Sequence, residues 1–188
     1  VLEHFEVVSV DIDPSTSPTW CGDVCDLRDA LLRDRSSLPA ALQGPFHIVW
    51  TSPPCTAYSA ANTCRTQEET TQQLKEADER VLAAWEIIAY LKPIVEFTEN
   101  PDSGSNRLAI RPITLSSRKN VNTTTYCCWG RPDRKATVIL SNLALTLPDC
   151  RREGETCLTK SVLGIHPQTA QSGSITKTSG VKVRGTRA

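Results

Sequence analysis

Between two short apolar runs, Phe46-His47-Ile48-Val49-Trp50 and Ile94-Val95-Glu96-Phe97, the residues Leu74, Ala77, Val81, Leu82, Trp85, Ile88 and Leu91 recur at helical spacing, and Pro93 stops the run. Strand, helix, strand in that order leaves a chain few options. A crossover helix lets the second strand lie parallel to the first, with the helix covering one face of the sheet they share. The fold class is therefore α/β. Further strands are expected over residues 6–10 and 136–140, a shorter one near 123–127, and a shorter helix over 26–35 leading toward the 46–50 strand. Residues 102–123 are rich in Ser, Asn, Arg and Pro and read as a long surface loop. From Pro148 onward Gly, Ser, Thr and Lys dominate. A catalytic domain over 1–147 and a short irregular basic segment over 148–188 follow, with no internal repeat.

The chemistry-bearing residues stand where the two central strands end. Ser52-Pro53-Pro54-Cys55 follows the first and Glu99-Asn100-Pro101 follows the second. In an open α/β sheet the crevice beyond the carboxyl ends of the strands is where ligands bind, so a thiol and a carboxyl delivered there can share one site. A cysteine sulfur is a soft nucleophile, and a carboxyl group beside it can hydrogen-bond or protonate the heteroatom that gains charge as the sulfur adds. Conjugate addition to an electron-poor ring suits that pair.

This arrangement resembles the C5-cytosine DNA methyltransferases, whose signature is a Pro-Cys nucleophile loop followed one strand later by Glu-Asn. The resemblance implies a Rossmann-like, mostly parallel sheet with flanking helices. It makes Cys55 the nucleophile that adds to C6 of cytosine and Glu99 the partner of N3, with S-adenosylmethionine as methyl donor and double-stranded DNA as substrate. Glu6-Val7-Val8-Ser9-Val10-Asp11-Ile12-Asp13 resembles the strand ending in an acid that holds the cofactor ribose, with Asp11 first and Asp13 second for that role. Cys21-Gly22-Asp23-Val24 resembles the segment whose aspartate, here Asp23, meets the adenine. On the same basis Pro53 lies against the cofactor, and Ser52, Pro54 and Asn100 against the base. Tyr126-Cys127-Cys128-Trp129-Gly130-Arg131-Pro132-Asp133-Arg134-Lys135 resembles the Tyr-Gly-x-Pro-Gln-x-Arg-x-Arg stretch that supports the flipped base and its phosphate, assigning Arg134 and Lys135 to the substrate. Here Asp133 replaces the glutamine, Lys135 the first arginine and Thr137 the second. A Phe-x-Gly-x-Gly loop has no counterpart in residues 1–5, a closing helix has none in 180–188, and methionine is absent. An internal fragment of a longer protein is expected, with target recognition falling to residues 148–188.

Composition narrows the alternatives. With 39% hydrophobic and 22% charged residues, the 188-residue chain is ordinary for a single globular core. No apolar run approaches the ~20 residues that span a bilayer, so a cytoplasmic or nuclear monomer without membrane contact is expected. Net charge is zero, but residues 1–102 hold 7 Lys and Arg against 17 Asp and Glu, whereas 103–188 hold 14 against 4. The basic half suits phosphate contacts, or is simply a solvated surface. Eight cysteines include no C-x-x-C pair, and adjacent Cys127-Cys128 close no ordinary bridge, so neither disulfides nor a metal is expected. Cys150, Cys157 and His166 remain a possible partial metal site, against plain loop packing. Cys21, Cys25 and Cys64 read as small buried or half-buried side chains. Tyr58, Thr56 and Asn62 either touch substrate or cap the next segment, Trp129 either walls the base pocket or packs, and His47 reads as a core histidine. Two rival functions stay open: an amino methyltransferase using Ser52-Pro53-Pro54 without a thiol, and a non-catalytic DNA-binding remnant.

Overall fold

The computed structural model describes residues 5–59, 66–164 and 166, together with the backbone of strands over 168–169, 173–178 and 181–184. Cys64 and Asn62 lie outside the described residues. The architecture is mixed α/β. Strands β1 (Val10–Asp11) and β2 (Trp20–Cys21) form a small parallel pair, and helix α1 (Val24–Asp34) follows. Strand β3 (Ile48–Thr51), helix α2 (Gln67–Leu91) and strand β4 (Val95–Pro101) make the anticipated crossover unit. A short helix α3 (Pro112–Leu115) and strands β5 (Asn120–Thr125) and β6 (Ala136–Ser141) come next. Helix α4 (Leu158–Leu163) and the antiparallel strands β7 (Gln168–Thr169), β8 (Gly173–Thr178) and β9 (Val181–Arg184) close the chain.

The main sheet has the order β3-β4-β6-β5. β3 pairs with β4 in parallel, aligning Thr51 with Thr98, while β6 runs antiparallel to both β4 and β5. Three of the four strands thus point the same way and β6 is inserted against them, which corrects the expectation of a mostly parallel ladder. The reason is local: short connections join β5 to β6, and a short connection returns the chain antiparallel, whereas a parallel neighbour needs a long crossover such as α2.

α2 is the hub of the core. Thr66 caps it, its side chain accepting from the Glu69 amide while Glu69 reaches back to the Thr66 amide, and Lys92 ends it in a left-handed conformation before Pro93. Its residues Leu74, Ala77, Val81, Ala84 and Ile88 are buried at alternating steps of three and four, the period of one helix face. Leu74, Ala77 and Val81 pack with Tyr58, Leu108, Val138 and Leu140 between helix and sheet. Ile87 packs instead with Leu27, Leu31, Leu38 and Leu42 around α1. Leu82, counted in the sequence pattern, stands 39% exposed between these faces.

Several other expectations change. Residues 6–10 do not form a buried strand: only Val10–Asp11 is strand, it pairs with β2 rather than the main sheet, and Val10 is exposed. Gly22 approaches the Trp20 ring so closely that a Cβ there would sit 2.6 Å from it, which fixes the step from β2 to Asp23. The 102–123 segment is more than surface loop, because Leu108 is fully buried and Thr114 bonds its carbonyl at 2.7 Å. Leu108-Ala109-Ile110 is too short an apolar run to show a period. His47 is exposed and precedes β3, contributing its carbonyl to the Val95 amide. Cys21 is likewise exposed. No described helix is long and apolar enough to cross a membrane.

Candidate active site at the ends of β3 and β4

Immediately after Thr51 the chain turns through Ser52-Pro53-Pro54-Cys55, where two prolines fix two successive φ angles and stiffen the backbone. The Trp50 indole N–H donates to Ser52 Oγ at 2.8 Å, and the Cys55 carbonyl accepts from the amides of Tyr58 (3.0 Å) and Ser59 (2.9 Å). Tyr58 is fully buried, not a substrate contact, and its hydroxyl donates to Asp78 Oδ1 at 2.8 Å. Arg111 holds the same carboxylate through Nη2 at 2.6 Å. Burial, then the Asp78 bond, push the Tyr58 phenol far above its ordinary value, so it remains an O–H donor. The loop is thereby anchored to α2 and to the segment before α3, while Cys55 itself, Pro54 and Thr56 stand exposed.

Glu99 and Asn100 occupy the end of the adjacent strand. The parallel register of β3 and β4 sets these two strand ends side by side. Asn100, fully buried, donates from Nδ2 to the Pro53 carbonyl at 3.1 Å and so ties the Cys55 loop directly to the Glu99 strand. Its Oδ1 is buried with no hydrogen-bond partner among the described residues, an acceptor that a bound donor would satisfy.

Alternation along β4 puts Glu99 on the same sheet face as Phe97. Glu99 is 9% exposed, and its Oε1 accepts from the Tyr126 hydroxyl at 3.2 Å and from Lys135 Nζ at 3.0 Å. Lys135 also lies 4.9 Å from the centre of the Tyr126 ring, with the Arg131 guanidinium 5.9 Å from it. Burial, followed by the Glu99 charge, raises the Tyr126 phenol above its ordinary value. Tyr126 and Arg131 carry no assignment from the sequence, although both fall inside the stretch read as supporting the base. Lys135, read there as a substrate contact, holds Glu99. Arg134 is exposed. Beside Tyr126 an open hollow of about 360 Å³ is walled by Trp50, Phe97, Trp129, Arg131, Ile139 and Leu147 among others. Trp129 therefore lines a cavity, with its indole N–H on Thr124 Oγ1 at 2.8 Å.

The three acids assigned to the cofactor all serve the backbone. Asp11 Oδ1 accepts from the Asp13 amide at 2.9 Å, Asp13 Oδ1 from Ser15 at 2.8 Å, and Asp23 Oδ1 from Cys25 at 2.8 Å as the N-cap of α1. Asp23 also meets Arg80 at 3.5 Å. Asp11 and Asp13 are exposed and spend only Oδ1 in these bonds, whereas Asp23 engages both oxygens. The donor set fits a polyhydroxylated ribose at Asp11. No residue brought near it among the described ones forms a glycine-rich cradle.

A second chemistry-bearing cluster lies where no metal was expected. Cys127, in the turn after β5, meets Cys150, Cys157 and His166, and their ligand atoms all lie within 4.8 Å of one another. Comparison of the sequence with protein-family models and with characterised proteins gives no match.

Proposed function

We propose that the β3-β4-β6-β5 sheet with α2 is a Rossmann-like catalytic core that methylates C5 of cytosine in double-stranded DNA, with Cys55 as nucleophile. One observation carries this reading: the Asn100 side chain bonds the Pro53 carbonyl at 3.1 Å, which joins the nucleophile loop to the strand that ends in Glu99. The Cys55 sulfur adds to C6 and forms a C–S bond, and the C5–C6 electron pair becomes available at C5. Glu99 engages N3 as charge develops there; with Oε1 held by Tyr126 and Lys135, Oε2 is the oxygen left to face the ring. S-adenosylmethionine, when bound, supplies the electrophilic methyl group. Asp11, whose Oδ2 takes no part in its bond to the Asp13 amide, would take its ribose hydroxyls. A base then takes the C5 proton, and the C5–H electron pair restores the double bond as the C–S bond breaks and Cys55 leaves as thiolate. Because C6 is inaccessible in a stacked duplex, the cytosine must be flipped out at a cost of a few kcal/mol. Arg131, which lies over the Tyr126 ring and pairs with Asp133, and the exposed Arg134 are cations that suit the phosphates.

The test is mechanism-based trapping. Full-length protein, cofactor and DNA carrying 5-fluorocytosine should give a denaturation-resistant adduct, because fluorine at C5 blocks release of the sulfur. An adduct that persists in Cys55→Ala, or none in the native protein, overturns the reading. Methyl transfer that survives Cys55→Ser would favour an amino methyltransferase instead, and DNA binding without cofactor binding would favour a non-catalytic remnant.

A further inference from the structure

We propose that Cys127, Cys150, Cys157 and His166 bind one structural zinc ion. The Cys127 and Cys150 sulfurs stand 3.2 Å apart, and His166 Nε2 lies 3.0 Å from the Cys157 sulfur and 3.7 Å from that of Cys150. Zn–S and Zn–N bonds of about 2.3 and 2.0–2.1 Å in a tetrahedron require S···S near 3.8 Å and S···N near 3.5 Å. These three edges lie about 0.2–0.6 Å from the values zinc would impose, and all four ligand atoms lie within 4.8 Å of one another. Three thiolates and one imidazole are a closed structural donor set, with no vacant position for substrate. The three cysteines are buried and His166 half-buried, so the ion would be shielded from water.

The surroundings are those of a metal-thiolate centre. The Lys160 amide points to the Cys157 sulfur at 3.4 Å, and N–H···S bonds of this kind suit a charged thiolate. The Cys150 amide is held by Thr125 Oγ1 at 3.0 Å, which fixes that ligand's backbone on β5. Lys160 Nζ bonds the Cys150 carbonyl at 3.4 Å, placing a cation next to a centre of net charge −1. Cys128, adjacent in sequence, takes no part: its sulfur is directed to Thr125 Oγ1 at 3.4 Å. Among the described residues the buried apolar cluster here consists of the three cysteines, with half-buried Cys128 packed against it. Zinc would staple the 148–166 segment to the turn after β5, and this inference stands independently of any role for Cys55.

Metal analysis of the full chain, purified under reducing conditions, should give one zinc per molecule. Replacement by Co²⁺ should produce the intense visible bands and thiolate charge-transfer absorption of a tetrahedral, sulfur-rich site. Cys127→Ser and Cys157→Ser should lower metal content at least tenfold, whereas Cys128→Ser and Cys21→Ser should retain it, and His166→Cys should retain it as a four-cysteine site. Metal-free native protein that takes up no Co²⁺ overturns the proposal, as does a Cys127–Cys150 disulfide in protein isolated from cells. Equal loss of metal in Cys128→Ser and Cys127→Ser overturns the ligand assignment. If the serine variants do not fold, the stoichiometry and cobalt spectrum of the native chain decide alone.

Discussion

The strand-end site around Cys55 and Glu99 and the cysteine cluster around Cys127 and His166 lie on either side of one short stretch of chain. Tyr126 touches Glu99, and the next residue, Cys127, belongs to the cluster. The two sites are built by opposite means. At the first, regular strands in parallel register deliver loops side by side, and a single side-chain bond from Asn100 locks them. At the second, irregular segments are pulled together by polar side chains of β5. Asn122 accepts from the Leu145 amide at 2.7 Å, Thr124 donates to the Pro148 carbonyl at 2.6 Å, and Thr125 accepts from Cys150. A run reading Asn-Val-Asn-Thr-Thr-Thr thus works as a side-chain ladder for the segment after β6. Regular geometry yields an exposed cysteine, and irregular geometry yields buried, mutually directed ones.

Exchanging perturbations between the two sites gives the widest separation. Cys55→Ala should abolish the trapped adduct and lower methyl transfer by roughly 10⁴-fold or more. It should leave thermal stability and metal content as in the native chain, because Cys55 is exposed and its side chain supports no packing. A fall in stability would show the loop to be structural instead. Glu99→Gln should slow adduct formation by about 10²–10⁴-fold, the range of a positioned acid-base group, as read in single-turnover experiments. An unchanged rate would separate Glu99 from the chemistry.

Smaller effects test what holds the strand-end site in place. Asp78→Asn leaves the Arg111 guanidinium without its carboxylate and weakens the acceptor for buried Tyr58, so it should cost about 3–5 kcal/mol in denaturant unfolding. The cysteine cluster, which shares no partner with Asp78, should keep its metal in whatever fraction remains folded. At the bottom of the range, Asp23→Ala removes the cap of α1 and should cost about 1 kcal/mol, whereas Asp23→Asn retains a capping oxygen and should cost little. Cofactor affinity that falls equally in both variants would assign Asp23 a binding role beyond its cap. The Cys25 amide bond holds the Asp23 carboxyl below its ordinary range despite partial burial, and Arg80 assists. With the folded value depressed, this contribution is present above the ordinary Asp value of about 3.9 and is lost as pH falls through the folded value. The native chain should lose that stability in acid, and Asp23→Asn should lose less.

How much of this was legible follows from the range of the interactions involved. The crossover unit declared itself because its signals are local: helical spacing from Leu74 to Leu91, a proline stop, and an apolar run on either side. The placement of Ser52-Pro53-Pro54-Cys55 and Glu99-Asn100 at neighbouring strand ends follows from that unit alone. Asp11, Asp13 and Asp23 were singled out through the family resemblance, and their bonds to backbone amides show only in the folded chain, since a ligand and a cap present the same side-chain oxygen. Leu108 and Tyr58 gave no pattern, because apolar runs as short as Leu108-Ala109-Ile110 and Ala57-Tyr58 have no period to detect. The antiparallel insertion of β6 between β4 and β5 was equally silent: local strand signals carry no pairing order. The cysteine cluster is the extreme case. Cys150, Cys157 and His166 were visible as possible ligands, but their fourth partner, Cys127, lies on the far side of β6, and the absence of close-spaced pairs argued against a site. Proximity there is created by strand pairing and by the Thr125 bond to Cys150, which act only once the chain has folded.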